Sequence, residues 1–291
     1  MEHLSTIAQW RDYAVAVRAS GRRVGLVATM GALHEGHQSL VRAARAAGDV
    51  VVLTSFVNPR QFSDPGDLAA YPHTPESDVA RARDAGVDAF VTPSLTEMWP
   101  EYPAPTYTTV SVARLGEGLE GVDRPGHFDG VASVVSKLFA ITGPCRAYFG
   151  EKDYQQLVVV RRLARDLGFD VDVVGCPTQR APGGLALSSR NARLSDEGRS
   201  RAVALYDALC AARESSEVAS VRRELMRRTL EAAGVDVAYA EVVDAESLVP
   251  LDNTFRGDAR ALVAGVVEGV RLIDNAAVTF FGPGGDDAAS H

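Results

Sequence analysis

Residues 50–57, Val-Val-Val-Leu-Thr-Ser-Phe-Val, form a continuous run with no charge and no polar–apolar alternation. A strand with one wet face alternates, so this run fits a strand covered on both sides. Strands of that kind belong to parallel sheets with helices packed on each face. The neighbouring segments fit this demand. Residues 23–28, 88–91, 147–149 and 170–174 have strand-like composition. Residues 5–19, 37–47, 75–85, 131–141 and 154–167 have helical composition, with Ser5 a candidate N-cap and Pro75 suited to a first turn. Strands alternating with helices predict parallel βαβ units and an α/β fold with a doubly wound parallel sheet. Ligands of such sheets bind beyond the carboxyl ends of the strands.

The character changes after Cys176. Residues 177–191 are a Pro/Gly/Ser loop, residues 195–233 are helical and rich in Arg and Glu, and residues 237–243 and 259–267 read as strands. This predicts a smaller α+β C-terminal domain. The expected division is 1–176 for the first domain, 177–283 for the second and 284–291 for a disordered tail. The net charge of -8 disfavours a general role with nucleic acid, whose phosphates an acidic surface repels. A local cationic site for a nucleotide remains compatible with it. Cys145, Cys176 and Cys210 are widely spaced and read as reduced thiols of a cytoplasmic protein. Residues 1–12 contain no apolar h-region, and no stretch approaches the roughly 18 apolar residues of a membrane span. Neither a signal peptide nor a membrane partner is expected.

Four loops carry chemistry. Met30-Gly31-Ala32-Leu33-His34-Glu35-Gly36-His37 lies between a strand and a helix, where backbone N–H groups attract anions. Two histidines three apart can donate to phosphate oxygens from the same side. Their spacing is not that of a zinc helix, and a third ligand is missing. Asn58-Pro59-Arg60-Gln61-Phe62 offers neutral amides at the end of the next strand. Gly150-Glu151-Lys152-Asp153 follows a later strand, with Asp153 a candidate helix cap. Only Lys137 and Lys152 are lysines among 30 basic residues. In an arginine-rich background a retained lysine hints at a role that a compact ammonium fills and a guanidinium does not. Leu187-Ser188-Ser189-Arg190-Asn191 sets two hydroxyls beside a guanidinium, which suits a phosphate. Taken singly, each loop also fits a plain reading: a glycine-rich turn, an Asn-Pro turn, a capped helix start, a helix-capping loop.

Taken together and in this order, these segments resemble the pantothenate synthetase family. The loop at residues 30–37 is similar to the HIGH-type nucleotidylyltransferase signature. Arg124-Pro125-Gly126-His127-Phe128 and Arg271-Leu272-Ile273-Asp274-Asn275 also match the family. The resemblance implies a Rossmann-like first domain, a C-terminal lid and a homodimer. It implies that ATP, with Mg²⁺, activates pantoate as an acyl-adenylate. β-Alanine then takes the pantoyl group, and AMP and pyrophosphate are released. It assigns ATP contacts to Met30, Gly31, Ala32, Leu33, His34, Glu35, Gly36, His37, Gly150, Glu151, Lys152, Asp153, Gln179, Leu187, Ser188, Ser189 and Arg190. Gln61 and Gln156 would hold pantoate, and Gln61 would also border β-alanine. The catalytic set it implies is His34, His37, Lys152 and Arg190, with His37 as candidate acid. No protein-borne metal site is implied. The chain departs from the family pattern at Ala28, His73, Gln179 and Gly183. Those departures bear on loop rigidity, lid motion and nucleotide affinity, and none removes an implied catalytic group.

Other readings are a nucleotidylyltransferase with a phosphorylated acceptor, an aminoacyl-tRNA synthetase and an inactive nucleotide-binding protein. The first calls for extra basic residues in the acceptor loops, where this chain has Asn58 and Gln61. The second calls for a tRNA-binding surface, against the acidic balance. The third calls for a broken catalytic set, whereas His34, His37, Lys152 and Arg190 are all present.

Overall fold

A computed structural model describes residues 1–281. The chain divides into two compact units, one covering Met1–Gln179 and one beginning at Arg180. In the first unit the strands are β1 (Glu2–Leu4), β2 (Val24–Thr29), β3 (Val50–Ser55), β4 (Ala89–Val91), β5 (Cys145–Gly150) and β6 (Val171–Cys176). They form one sheet in the order β1-β4-β3-β2-β5-β6, with every pair parallel. The helices are α1 (Ile7–Ala19), α2 (Glu35–Ala46), α3 (Pro65–Ala69), α4 (Pro75–Ala85), α5 (Leu95–Met98), α6 (Glu120–Asp123), α7 (His127–Thr142) and α8 (Tyr154–Asp166).

Successive strand residues face opposite sides of a sheet. Leu26 and Val52 pack with Trp10, Phe139 and Leu157 on one side. Val27 and Leu53 pack with Leu40, Val41 and Ala82 on the other. Both faces are therefore dry, as the unbroken apolar run of β3 requires. The winding reverses at β2: β3 and then β4 are added on one side of it, β5 and β6 on the other. A reversal of this kind opens a crevice at the carboxyl ends of β2 and β5, where open α/β sheets bind ligands.

The second unit holds α9 (Asp196–Ala202), α10 (Ala204–Glu214), α11 (Ala219–Ala232), β7 (Asp236–Asp244), β8 (Gly257–Val267) and β9 (Val270–Phe280). The strands form an antiparallel sheet, β7-β8-β9. Leu205, Leu209, Met226 and Leu230 from the helices pack with Val242, Ala261, Val263 and Leu272 from the sheet. Glu268 and Gly269, both at positive φ, make the tight turn between β8 and β9. Among the described residues no helix is long and apolar enough to cross a membrane.

Several local expectations need correction. The N-cap of α1 is Thr6, not Ser5. Thr6 and Gln9 form a reciprocal capping box, which outcompetes a lone serine one residue earlier. Helix α2 begins at Glu35 because His34 caps it, and α7 begins at His127, straight after Gly126 in the left-handed region. The helical stretch 195–233 is three helices, broken at Val203 and again between Glu214 and Ala219. Asp153 occupies the N-cap position of α8 but makes no side-chain capping bond. Strands β1 and β9 were not expected from the sequence. The tail proposed for 284–291 lies outside the described residues.

Candidate active site

The loop after β2 is built around two imidazoles. His34 is the N-cap of α2 and its Nδ1 accepts the Gly36 N–H at 3.1 Å. His37, at the third helical position, accepts the His34 N–H on its own Nδ1 at 3.2 Å. The spacing of three thus closes a capping box made of histidines. A backbone N–H can only donate, so each Nδ1 must be unprotonated, and the neutral ring carries its hydrogen on Nε2. The ring centroids are 4.1 Å apart. Burial lowers His34 to about 4 and His37 to about 3, from 6.5. The Lys152 ammonium pushes both the same way, and Asp153 opposes it. At neutral pH the pair is therefore two uncharged N–H donors beside one lysine cation, at the N-terminus of a helix.

The backbone between Thr29 and His34 is held from two sides. Thr29 Oγ1 donates to the Thr54 carbonyl at 2.7 Å and accepts the Gly31 N–H at 3.2 Å. Asp78, buried on α4, accepts the Ala32 and Leu33 N–H groups at 3.0 and 2.8 Å and the Thr74 hydroxyl at 3.1 Å. Ala32 has φ +50, unusual for a residue with a Cβ, and the Asp78 clasp holds it there. Gly31 has φ +81, and a Cβ on it would meet Asp78 and Ser55 oxygens at 3.0 Å. Sequence reading passed over Asp78, which looks like an ordinary helix-surface acid next to Glu76.

Across the crevice β5 ends at Gly150, and Glu151–Asp153 form a single turn leading into α8. Lys152 Nζ lies 3.6 Å from Asp153 Oδ1, and its side chain is largely covered. Gln156 sits in the first turn of α8, half-buried. Its neighbour Gln155 is buried and fully engaged: Nε2 donates to the Leu115 and Gly118 carbonyls and Oε1 accepts the Glu120 N–H. Glu35 does not join the cluster, because its carboxylate pairs with Arg42 in solvent. Gln179, at the end of the first unit, donates to the Pro177 carbonyl at 3.3 Å.

The loop after β3 presents Gln61. His127 from α7 contacts the Gln61 carbonyl through Nδ1 at 2.8 Å. A carbonyl only accepts, so His127 carries its hydrogen on Nδ1, and Nε2 receives the Arg124 guanidinium at 3.2 Å. Burial and then Arg124 lower His127 to about 4. The amide of Gln61 is also oriented. Asn58 Nδ2 donates to Gln61 Oε1 at 3.0 Å, and Gln61 Nε2 points at Met30 Sδ at 3.0 Å. A thioether is a weak acceptor, so a strong donor is held where an oxygen would bind better. Gly130 makes this packing feasible: a Cβ there would lie 2.2 Å from the Arg60 carbonyl oxygen.

In the second unit, Ser188 Oγ accepts the Arg190 N–H at 3.3 Å and caps the turn Ser189–Arg193. The capping reading of this loop is thus realised at Ser188, whose O–H hydrogen can still be donated. Leu187, Ser189 and Arg190 are half-buried around it. Asn191 donates to the Ala186 carbonyl at 2.9 Å. Upstream, Arg180 pairs with buried Asp274 through two N–H groups at 2.5 and 3.0 Å and donates to the Gly184 carbonyl at 2.9 Å. Its guanidinium also sits 4.6 Å from the Tyr206 ring centroid. The Arg271–Asn275 motif therefore lies on β9, with Asp274 anchoring the start of this loop.

A doubly wound parallel α/β sheet with polar loops gathered at its switch point is the frame of the α/β enzymes that bind nucleotides there. Comparison with known proteins narrows the class. Residues 2–277 match the family described as pantoate-beta-alanine ligase. A pantothenate synthetase of Cereibacter sphaeroides is 51% identical over 276 residues, which is 94% of this chain and 98% of the relative. One from Myxococcus xanthus is 48% identical, covering 94% of each chain. The crystal structure of pantothenate synthetase from Thermus thermophilus superposes with a TM-score of 0.87 at 46% identity, covering 95% of this chain and 99% of that one. The ligase of Francisella tularensis, solved with beta-gamma ATP and beta-alanine, does so at 0.79 and 33%, covering 95% and 97%. This chain belongs to the pantoate-beta-alanine ligase family and is a ligase that forms an amide bond.

Proposed function

We propose that this enzyme joins pantoate to β-alanine with ATP through a pantoyl-adenylate, releasing AMP and pyrophosphate. The observation that carries the reading is the convergence of His34, His37 and Lys152 on the switch-point crevice, next to the oriented amide of Gln61. The first group suits a triphosphate and the second suits a small oxygen-rich acid.

A carboxylate does not react readily with an amine, because its leaving group would be an oxide. Adenylation removes that obstacle. A pantoate carboxylate oxygen attacks the α-phosphorus of ATP while the bond to the pyrophosphate oxygen breaks in line. The protein's contribution is positioning and charge stabilisation. The Nε2–H groups of His34 and His37 donate to phosphate oxygens, and Lys152 neutralises charge growing there. Each Nδ1 is taken by a backbone N–H and burial holds both rings below their usual value, so His34 and His37 enter as neutral Nε2–H donors, His37 being the one that the resemblance makes the acid. Gln61 and Gln156 hold pantoate by neutral amides, which leave its carboxylate nucleophilic. The β-alanine amine then attacks the acyl carbon, loses a proton, and AMP departs. Ser188, Ser189 and Arg190 are read as the part of the C-terminal lid that meets the phosphates and excludes water.

Mg²⁺ is read as arriving on the triphosphate, where it needs few protein contacts and offsets phosphate charge. Asp153, beside Lys152, is the carboxylate suited to meet it. The family likeness supports a homodimer, and three free thiols, two of them buried, suit the cytoplasm.

The test is exchange of labelled pyrophosphate into ATP without β-alanine. Exchange that requires pantoate supports the adenylate. ATP binding with no exchange would overturn it.

A further inference from the structure

Gln61 has a chemically defined orientation, and its origin can be traced. The Trp99 indole Nε1–H can only donate, and it donates to Asn58 Oδ1 at 3.0 Å. The same oxygen takes the Arg60 N–H at 3.3 Å. Asn58 must therefore turn Nδ2 the other way, toward Gln61 Oε1 and the Gly130 carbonyl at 3.1 Å. With its oxygen occupied, Gln61 can present only Nε2–H toward Met30. All three side chains are buried, so water does not substitute for a missing partner.

Trp99 is itself clamped. The Arg60 guanidinium lies 5.2 Å and the Lys137 ammonium 5.3 Å from its ring centroid. Lys137 also donates to the Met98 carbonyl and, at 3.3 Å, to the Glu97 carbonyl, at the end of α5 next to Trp99. A compact ammonium can reach two carbonyls and a ring face together, which a flat guanidinium does less well. This gives a role to the lysine outside the phosphate site.

We propose that Trp99, clamped by Lys137, is a positioning residue that sets which end of the Gln61 amide faces pantoate, so that the ligand there must offer an oxygen acceptor. The inference rests on reading Gln61 as a pantoate contact. Its test compares Trp99→Phe, which retains more of the ring volume but has no donor, with Trp99→His, which is smaller but can place an N–H at the same spot. Pyrophosphate exchange gives KM for pantoate and for ATP in each. The expected result is a rise of about tenfold in pantoate KM for Phe, a clearly smaller rise for His, and unchanged ATP KM in both. A packing role gives the reverse order and overturns the proposal, as do equal effects or a parallel rise in both KM values. If either variant does not fold, Lys137→Met is expected to raise pantoate KM alone, and an unchanged value overturns the proposal. Exchange by the unsubstituted enzyme that ignores pantoate would instead overturn the reading of the site.

Discussion

Each imidazole in the loop after β2 gives Nδ1 to a backbone N–H, which leaves Nε2–H for a ligand. Such a donor gains strength as negative charge builds on a phosphate oxygen, so its largest effect is expected in the transition state. Lys152→Ala and His37→Ala are each expected to slow pyrophosphate exchange by roughly 10²-fold or more, measured at saturating ATP and pantoate. Near-normal turnover in either would remove it from the catalytic set. His34, Lys152 and Gln61 could be picked out in the sequence because they fall in segments between a strand and a helix; His37, in the first turn of α2, came with the same motif, and Gln156, in the first turn of α8, came only with the family resemblance. The protonation of the histidines could not be read there, since burial and a tautomer fixed by backbone contacts arise only in the fold. Asp78 was not legible either. A carboxylate in a helix carries no sign that it faces a loop some 46 positions away in sequence.

Elements, more than single side chains, hold the site's loops. Helix α4 clasps the loop after β2 through Asp78, and α7 carries the loop after β3 on Gly130 and His127. Asp78→Ala leaves the buried Leu33 N–H and the part-buried Ala32 N–H without their acceptor and is expected to cost about 1–3 kcal/mol by chemical denaturation. The ATP KM should rise with it, because Ala32 loses the contact that holds its left-handed backbone. A normal ATP KM in a destabilised variant would make the clasp purely structural. In the second unit, Asp274→Ala strands the Arg180 guanidinium and is expected to cost about 3 kcal/mol, since breaking a buried pair is worse than never having one. An unfolding free energy unchanged from the parent chain would refute that. Helix α4 could be read from end to end in the sequence, because Pro75 starts it and Gly86 in the left-handed region stops it. Strand β9 could not, because Asp274 and Asn275 interrupt its apolar pattern with residues that are buried and paired. The three-residue edge strand β1 is too short to show a period.

At the scale of the whole molecule, His34, His37 and His127 form a set of imidazoles that the fold keeps neutral. Each titrates near 3 to 4 when folded and near 6.5 when unfolded. Between those values the unfolded chain binds protons that the folded chain refuses, so stability falls as the medium is acidified. The carboxylates held below their ordinary range, Asp244, Asp252 and Glu268, act in the same direction. Their unfolded values lie near 4, so their contribution is lost only in stronger acid. The window from about pH 6.5 down to about 4.5 therefore belongs to the histidines. The unfolding free energy from guanidinium titration is expected to decrease steadily from pH 7 to pH 5. His127→Gln, which can still donate to the Gln61 carbonyl but cannot be protonated, is expected to flatten part of that decrease. An equal slope in both proteins would mean that His127 gains its proton without unfolding the site. The Arg124 guanidinium against its Nε2 argues otherwise, because an imidazolium there would face a cation at 3.2 Å, and burial together with that cation outweighs the Glu120 and Asp153 carboxylates that favour the proton.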